Sequence, residues 1–185
     1  RQDPDIIMLG SIRDIATANL ANIASLSGHV VLTTLDTHDA VGAILRLQEM
    51  QIELFPLATS LNLIIGQRLV RKICQNCRLS YDLSETEREL VAAQLRIKPQ
   101  DVSKRLYRGK GCALCGQTGY RGRLGIFEIL NLTEDIKKLI IAGANAVAIL
   151  DQAKSEGFVS MREDGIQKTM AGVTTVEELL TELSL

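Results

Sequence analysis

Four cysteines stand in this chain as two C-x-x-C pairs, and no cysteine is left over. The pairs are Cys74 with Cys77 and Cys112 with Cys115. A C-x-x-C turn aims two sulfurs at one ion from a tight loop, and two such turns supply the four ligands of a tetrahedral zinc site. A four-cysteine site leaves no open coordination position, so the pattern predicts a structural metal and not a catalytic one.

Two other interpretations of the cysteines stay open, namely buried free thiols and disulfides. Gly111 and Gly116 flank the second pair, as tight metal-binding turns require. The gap from Cys77 to Cys112 exceeds the roughly 15 to 20 residues usual in compact zinc ribbons, which predicts an insertion between the turns. Ser84 and Glu87 have the spacing of a capping box, so we expect a helix in that insertion.

The composition places few limits on function. At 185 residues the chain has room for one domain, or for one domain with a small appended one, and its net charge is -1. Aromatic residues make up 3%, so the core must be aliphatic. No apolar run approaches the roughly 18 to 20 residues of a membrane span, and the start does not have the pattern of a signal peptide. A reduced cytoplasmic chain without a transmembrane segment is therefore expected.

Basic residues concentrate around the cysteine pairs. The stretch from Ser103 to Arg123 contains no Asp or Glu, and its cations are Lys104, Arg105, Arg108, Lys110, Arg121 and Arg123. Further cations surround the first pair, namely Arg68, Arg71, Lys72 and Arg78. They are either solvated side chains that balance a dianionic tetrathiolate centre, or a docking face for an acidic partner, a phosphate or a lipid headgroup.

The pattern at the start of the chain is typical of a parallel sheet. Two apolar runs, residues 6–9 and 29–35, predict buried parallel strands, and Asp14 and Asp39 are placed to N-cap the helix that follows each strand. This is a β-α-β-α unit. Further along, we expect a helix from Pro56 through Ile65, a strand at residues 124–130 and four helices at residues 133–142, 146–156, 161–171 and 174–183.

Five ordered motifs resemble those of the secretion ATPase superfamily, which powers type II secretion and type IV pilus assembly. R-Q-D-P-D-I-I-M-L-G-S-I-R-D at residues 1–14 resembles its Walker B segment, and G-H at 28–29 with T-L-D-T-H-D-A at 34–40 resembles its histidine box. The later blocks are Q-R-L-V-R-K-I-C at 67–74, G-Y-R-G-R-L-G-I-F-E at 119–128 and M-R-E-D-G at 161–165. The tetracysteine element resembles that of secretion and pilus-extension motors, as opposed to retraction motors.

The resemblance implies an α/β fold in three segments. Residues 1–66 are expected to be the C-terminal part of a RecA-like P-loop ATPase core, residues 67–131 a tetracysteine zinc-binding element, and residues 132–185 a helical C-terminal subdomain. It also implies a full-length parent that binds ATP and Mg²⁺ and acts as a homo-hexamer on the cytoplasmic face of the inner membrane. The implied partners are the membrane platform and adaptor proteins of the machine, and no specific nucleic acid.

Two features predict that the chain is a fragment without turnover of its own. It starts without methionine directly before a strand, and no run in it reads G-x-x-x-x-G-K-[S/T]. That run forms the loop whose amides and lysine hold the phosphates of ATP. We therefore expect weak nucleotide binding at most.

The site residues depart from the family pattern at two positions. The family's catalytic Walker B glutamate falls at Ser11, whose hydroxyl cannot act as a general base near neutral pH, and a family histidine falls at Asp36. By the same resemblance Gly10, Arg13 and His29 belong to the nucleotide-binding region, although His29 is equally well interpreted as a packed histidine at a strand end.

Three functions remain open on these grounds. The parent is either a motor ATPase with an altered site, or a degenerate nucleotide-binding or structural ring subunit that does not hydrolyse ATP. The third and remote possibility is a zinc-ribbon module that binds nucleic acid through residues 104–123, for which few aromatic residues are present.

Overall fold

The computed structural model describes residues 3–183, so Arg1 and Gln2 of the first motif lie outside the described residues. The strands are β1 (Ile6–Ile12), β2 (Val30–Leu35), β3 (Leu63–Ile73), β4 (Arg78–Asp82), β5 (Arg105–Gly109) and β6 (Tyr120–Asn131). The helices are α1 (Ile15–Leu26), α2 (Ala40–Glu49), α3 (Leu54–Ser60), α4 (Glu85–Leu95), α5 (Glu134–Ile141), α6 (Ala146–Ser155), α7 (Met161–Met170) and α8 (Val176–Leu183). Within residues 3–183, no helix is both long enough and apolar enough to cross a membrane.

The chain divides into two compact units, each built from two segments. Unit 1 comprises the residues up to Gly66 together with Glu128–Val159, and unit 2 comprises Gln67–Phe127 together with the residues from Ser160 onward. The helical residues 132–185 thus contribute to both units. The three segments expected from the resemblance divide the chain differently from these two units, and they stay a prediction.

Unit 1 begins with the predicted β-α-β-α arrangement. β1 and β2 pair in parallel, with Ile6 opposite Val30 and Ser11 opposite Thr34. Asp14 accepts the backbone N–H of Thr17 at 2.8 Å and so caps α1. Parallel pairing demands a crossover connection, and α1 provides it.

One face of the β1–β2 sheet is packed and the other is exposed. Leu9, Val31 and Leu35 contact an aliphatic cluster from α1, α2 and α3. Ile6, Met8, Val30 and Leu32 lie on the opposite face and are all more than half exposed. The expectation of strands buried on both faces is therefore wrong within the described residues, because side chains of only one face find a covering layer.

A second cluster in unit 1 joins α2 and α3 to the later helices. Its buried members are Ala40, Val41, Ile44, Ala58, Leu130, Leu132, Ile136, Ile140, Ile149 and Ala153. Its buried members are all aliphatic, and Phe158 is the one aromatic side chain among the partly buried residues packed against them. α5 and α6 pack there with N-caps supplied by Thr133 and Asn145.

Unit 2 contains two pairs of strands and the helices α4, α7 and α8. β3 pairs with β6, and β4 pairs antiparallel with β5 so that Arg78 faces Gly109. α4 is the predicted insertion between the cysteine pairs, and its capping box between Ser84 and Glu87 is confirmed. The unit's core contains Val70, Leu95, Leu106, Ile126, Met161, Val176 and Leu179.

The helix predicted from Pro56 to Ile65 is wrong at its C-terminal end. α3 ends at Ser60, and Ile64 and Ile65 belong to β3. The apolar run is compatible with the periodicity of a helix and with that of a strand. Its β-branched residues pack well on a pleated strand, and the backbone of β3 pairs with that of β6. Pro56 is tolerated because it lies in the first turn of α3, where backbone N–H groups have no helical partner.

Candidate metal centre and strand-end pocket

The two C-x-x-C turns bring all four sulfurs together. The Sγ atoms of Cys74, Cys77, Cys112 and Cys115 lie within 4.8 Å of one another. Cys74 to Cys112 and Cys77 to Cys115 each measure 3.9 Å, and Cys112 to Cys115 measures 3.7 Å. Disulfide sulfurs are about 2.05 Å apart, so none of these pairs is bonded.

The sulfur separations fit a tetrahedral ion. With a Zn–S bond of about 2.3 Å, the edge of a regular tetrahedron of sulfurs is about 3.8 Å long. The three distances of 3.7 to 3.9 Å lie close to that edge. The quartet is thus compatible with a tetracysteine metal site.

Backbone geometry holds each turn in place. The 3₁₀ turn of Ala113–Cys115 directs the N–H of Cys112 to the Cys115 sulfur at 3.2 Å, and Gly116 follows in the left-handed region. The N–H of Cys74 donates to the carbonyl of Gly119 at 2.9 Å, which ties the first turn to the chain after the second. Hydrogen bonds within the chain therefore align both turns.

The thiols differ in their acidity. The Asn76 amide donates to the Cys112 sulfur at 3.5 Å and lowers the pKa of Cys112 to about 6. Burial raises the pKa of the Cys77 thiol to about 11. The lowered pKa of Cys112 favours its thiolate, the form in which cysteine binds metals.

A pocket opens where β1 and β2 end. Its volume is about 560 Å³, within the range of small-molecule sites. The lining residues are Ser11, Ile12, Arg13, Thr34, Leu35, Asp36, Arg46 and Met50. Carboxyl ends of parallel strands meet at one sheet edge, so three of the residues singled out in the sequence, Ser11, Arg13 and Asp36, come together here.

The pocket offers two hydroxyls, two cations and one carboxylate among its lining residues. The Ser11 and Thr34 hydroxyls lie 2.9 Å apart and bond to each other. Arg46 reaches the pocket from α2 and pairs with exposed Glu49 at 3.1 Å. Thr34 and Arg46 were not among the predicted site residues; Thr34 could have been found because it lies in the motif that resembles the histidine box, whereas Arg46 carries no local signal.

Gly10 and His29 lie outside the pocket lining. The Gly10 carbonyl accepts the Thr33 hydroxyl at 2.9 Å, beside an irregularity in the β1–β2 register between Met8 and Ser11. His29 precedes β2, and its Nδ1 lies 3.0 Å from the Ala24 carbonyl. Five residues separate His29 from Thr34, roughly 17 Å at about 3.3 Å per residue. This placement favours the interpretation of His29 as a packed strand-end histidine.

Several cations near the cysteines are engaged by their own unit. Arg105 pairs with Asp82 at 2.8 Å, and Arg71 pairs with the buried Glu178. Arg78 lies over the Tyr107 ring and Arg108 over the Tyr81 ring. The three tyrosines of the chain all lie against arginines, which disfavours them as platforms for stacking bases.

A family model for type II/IV secretion system proteins matches residues 1–181. The chain belongs to this family. Within it, the chain is 45% identical over 181 residues to a type IV pilus assembly ATPase, PilB, of Thermus thermophilus, covering 97% of this chain and 20% of that protein. It is 43% identical over 180 residues to the type II secretion system protein E of Klebsiella pneumoniae, covering 97% and 35%. This family member thus spans about a fifth to a third of the curated relatives it matches.

The fold matches solved structures of lower sequence identity. The ATPase DotB of Legionella pneumophila superposes with a TM-score of 0.63 at 19% identity, over 97% of this chain and 38% of DotB. DotB of Yersinia pseudotuberculosis gives a TM-score of 0.64 at 18% identity, over 99% and 37%. These likenesses establish a shared mixed α/β fold.

Proposed function

We propose that this chain is the C-terminal part of a motor ATPase that powers type II protein secretion or type IV pilus assembly and has an altered catalytic site. The observation that carries the proposal is the strand-end pocket, where Ser11, Arg13 and Asp36 meet. The relatives named as pilus assembly ATPase and secretion system protein E support the choice of machine. In this proposal residues 1–66 belong to a RecA-like core.

The pocket residues have distinct roles in this proposal. Arg13 and Arg46 attract the phosphates of ATP, and Mg²⁺ accompanies the nucleotide in the full-length protein. Ser11 supplies no carboxylate, and its hydroxyl is bonded to Thr34. Since Asp36 is the one carboxylate among the lining residues, it is the remaining group able to orient water through charge.

Phosphate release by the purified 185-residue chain tests the altered site. We expect no turnover above the buffer blank, because these residues lack both the phosphate-binding run and the Walker B carboxylate. Release that is measurable and abolished by Asp36→Ala would contradict the proposal. Asp151→Ala, at an exposed position of α6 outside the pocket lining, is the matched control.

The alternative is a ring subunit that binds nucleotide without hydrolysing it. The Ser11–Thr34 hydroxyl pair favours this alternative. Ser11 places a neutral hydroxyl at the family's carboxylate position, and that hydroxyl bonds to a second neutral group, the Thr34 hydroxyl. Ser11→Glu in the full-length parent separates the two: a gain of several orders of magnitude in turnover indicates that only the carboxylate is missing. Little change indicates a site that is rescued or inactive for other reasons.

We further propose that the four cysteines bind one structural Zn²⁺. The tetrahedral spacing of their sulfurs supports this, and bound zinc stabilises the fold without taking part in chemistry. Metal analysis should give about one zinc per chain. Stably folded protein that is free of metal would overturn the assignment.

The partners and location follow from the proposed machine. A homo-hexamer on the cytoplasmic face of the inner membrane would present the exposed cations Arg121 and Arg123 to an acidic surface of the membrane platform or an adaptor protein. Charge reversal at both positions should weaken binding to the platform. Binding that survives reversal would exclude this docking face.

A further inference from the structure

The segment from Ala171 to Glu178, here called the C-terminal clamp, bonds to the chain on both sides of the first cysteine turn. The Ile73 N–H donates to the Val173 carbonyl at 2.9 Å, directly before Cys74. The Thr174 hydroxyl donates to the Arg71 carbonyl at 2.9 Å. After the turn, the Arg78 guanidinium donates to the Ala171 carbonyl at 3.1 Å. The clamp therefore fixes the strands that enter and leave this turn.

The clamp also holds the chain that follows the second cysteine turn. The Tyr120 hydroxyl lies 2.8 Å from the Thr175 hydroxyl. The Arg71 guanidinium lies over the Tyr120 ring, with 4.2 Å between its Cζ atom and the ring centroid. One side chain thus touches both the clamp and the strand leading to Cys74.

Glu178 is the centre of this arrangement. It is 3% exposed, and its carboxylate accepts the Arg71 backbone N–H at 2.8 Å and the Arg71 Nε at 2.7 Å. The Arg71 side chain is 55% exposed, so Glu178 is the buried member of this ion pair and depends on Arg71 for its hydrogen bonds. The contact joins residues 107 positions apart, so it forms only when the clamp is docked.

Gly172 permits the close approach. Its φ is +70°, and a Cβ at this position would collide with the Tyr107 ring and the Arg78 guanidinium. These two side chains stack on each other, 3.9 Å from guanidinium carbon to ring centroid. The clamp backbone thus lies against the β4–β5 ribbon that connects the two cysteine turns.

We propose that metal binding at the four cysteines and docking of the C-terminal clamp stabilise each other, with Glu178, Thr175 and Tyr120 as positioning residues for the metal ligands. This inference rests on the zinc site proposed above. The sulfurs form a tetrahedron only while both turns face each other, and the clamp holds the strands on which the turns lie. Coupling between two binding events is reciprocal, so zinc must hold the clamp as firmly as the clamp holds zinc.

Zinc binding by the 185-residue chain tests this coupling. We compare Glu178→Gln with Glu177→Gln, which removes the same charge from the exposed neighbouring residue. In equilibrium competition with a colorimetric chelator, zinc affinity should be at least about fivefold weaker for Glu178→Gln and unchanged for Glu177→Gln, since coupling factors are typically 5 to 150. In the unaltered chain, zinc removal should speed amide hydrogen exchange in the clamp by a similar factor.

A milder variant keeps the test decisive if Glu178→Gln does not fold. Tyr120→Phe retains the ring under Arg71 and loses only the hydroxyl that meets Thr175. Weaker zinc binding by this variant supports the coupling. Unaltered zinc affinity of the folded variants overturns it, whereas an unaltered chain that binds no zinc overturns the zinc assignment itself.

Discussion

Glu128 accepts the backbone N–H of Ala40 at 2.5 Å, across a sequence separation of 88 residues. Asp39 accepts the N–H of Gly42 at 2.6 Å, so two carboxylates satisfy the first turn of α2. Negative charge at a helix N-terminus is favourable, because the backbone N–H groups point toward it. Glu128 thereby fixes the start of α2 and, with it, the loop that carries Asp36.

This contact predicts a large cost for Glu128→Ala. The buried Ala40 N–H would lose its partner, at about 1–3 kcal/mol of unfolding free energy. Glu134→Ala is the control, because Glu134 also lies in a first helical turn but is exposed and pairs only loosely with Lys137, at 3.5 Å. Its cost should stay within about 0.5 kcal/mol. Urea unfolding followed by circular dichroism measures both, and equal costs would contradict the prediction.

Glu178 predicts how stability depends on pH. Burial raises its pKa, but the hydrogen bonds and charge of Arg71 outweigh burial, so the folded-state pKa lies below the ordinary 4.5. In that range the unfolded state binds more protons, and stability therefore falls as pH drops below about 4.5 toward the folded-state pKa. Thermal melts across pH 3 to 6, with approximate spacing of half a unit, should show a shallower acid dependence in Glu178→Gln. An unchanged dependence would exclude Glu178 as its source.

The cysteine element predicts that stability depends on metal. Zinc that binds only the folded chain stabilises it by about 4 kcal/mol at a thousandfold excess over Kd. Chelation should therefore lower the melting temperature, and Cys112→Ser should start at the lower value and no longer respond to the chelator. Ser80→Ala, at an exposed position of β4, should respond like the unaltered chain. A chain that melts identically with and without chelator would argue against a stabilising metal.

Local signals explain which elements could be predicted from the sequence. Asp14, Asp39 and Ser84 cap the helices that begin beside them, because the cap and its partner are only three residues apart. The cysteine turns are local in the same way. The end of α3 could not be predicted from local signals. Ile64 and Ile65 are compatible with a helix or a strand, and the partner strand β6 lies far along the chain.

At the scale of the molecule, the long-range contacts that position the two sites could not be predicted from the sequence. The Glu128–Ala40 and Glu178–Arg71 contacts join distant segments and have no periodic signature.

Charge is also distributed unevenly between the units: acidic residues outnumber basic ones in unit 1, and the reverse holds in unit 2. The net charge of -1 conceals this asymmetry, of which the basic residues around the cysteine pairs are the part visible in the sequence.

The exposed face of the β1–β2 sheet supplies the last prediction. Parallel sheets are normally covered on both faces, and the exposed apolar residues Met8 and Leu32 should bind a hydrophobic dye. Leu32→Thr should reduce dye fluorescence and change the free energy of unfolding by no more than about 0.5 kcal/mol. Val31→Thr, one residue earlier, places its hydroxyl on the packed face and should cost about 1 kcal/mol or more without reducing dye binding. If the two variants were equally destabilised, the face assignment of β2 would be wrong.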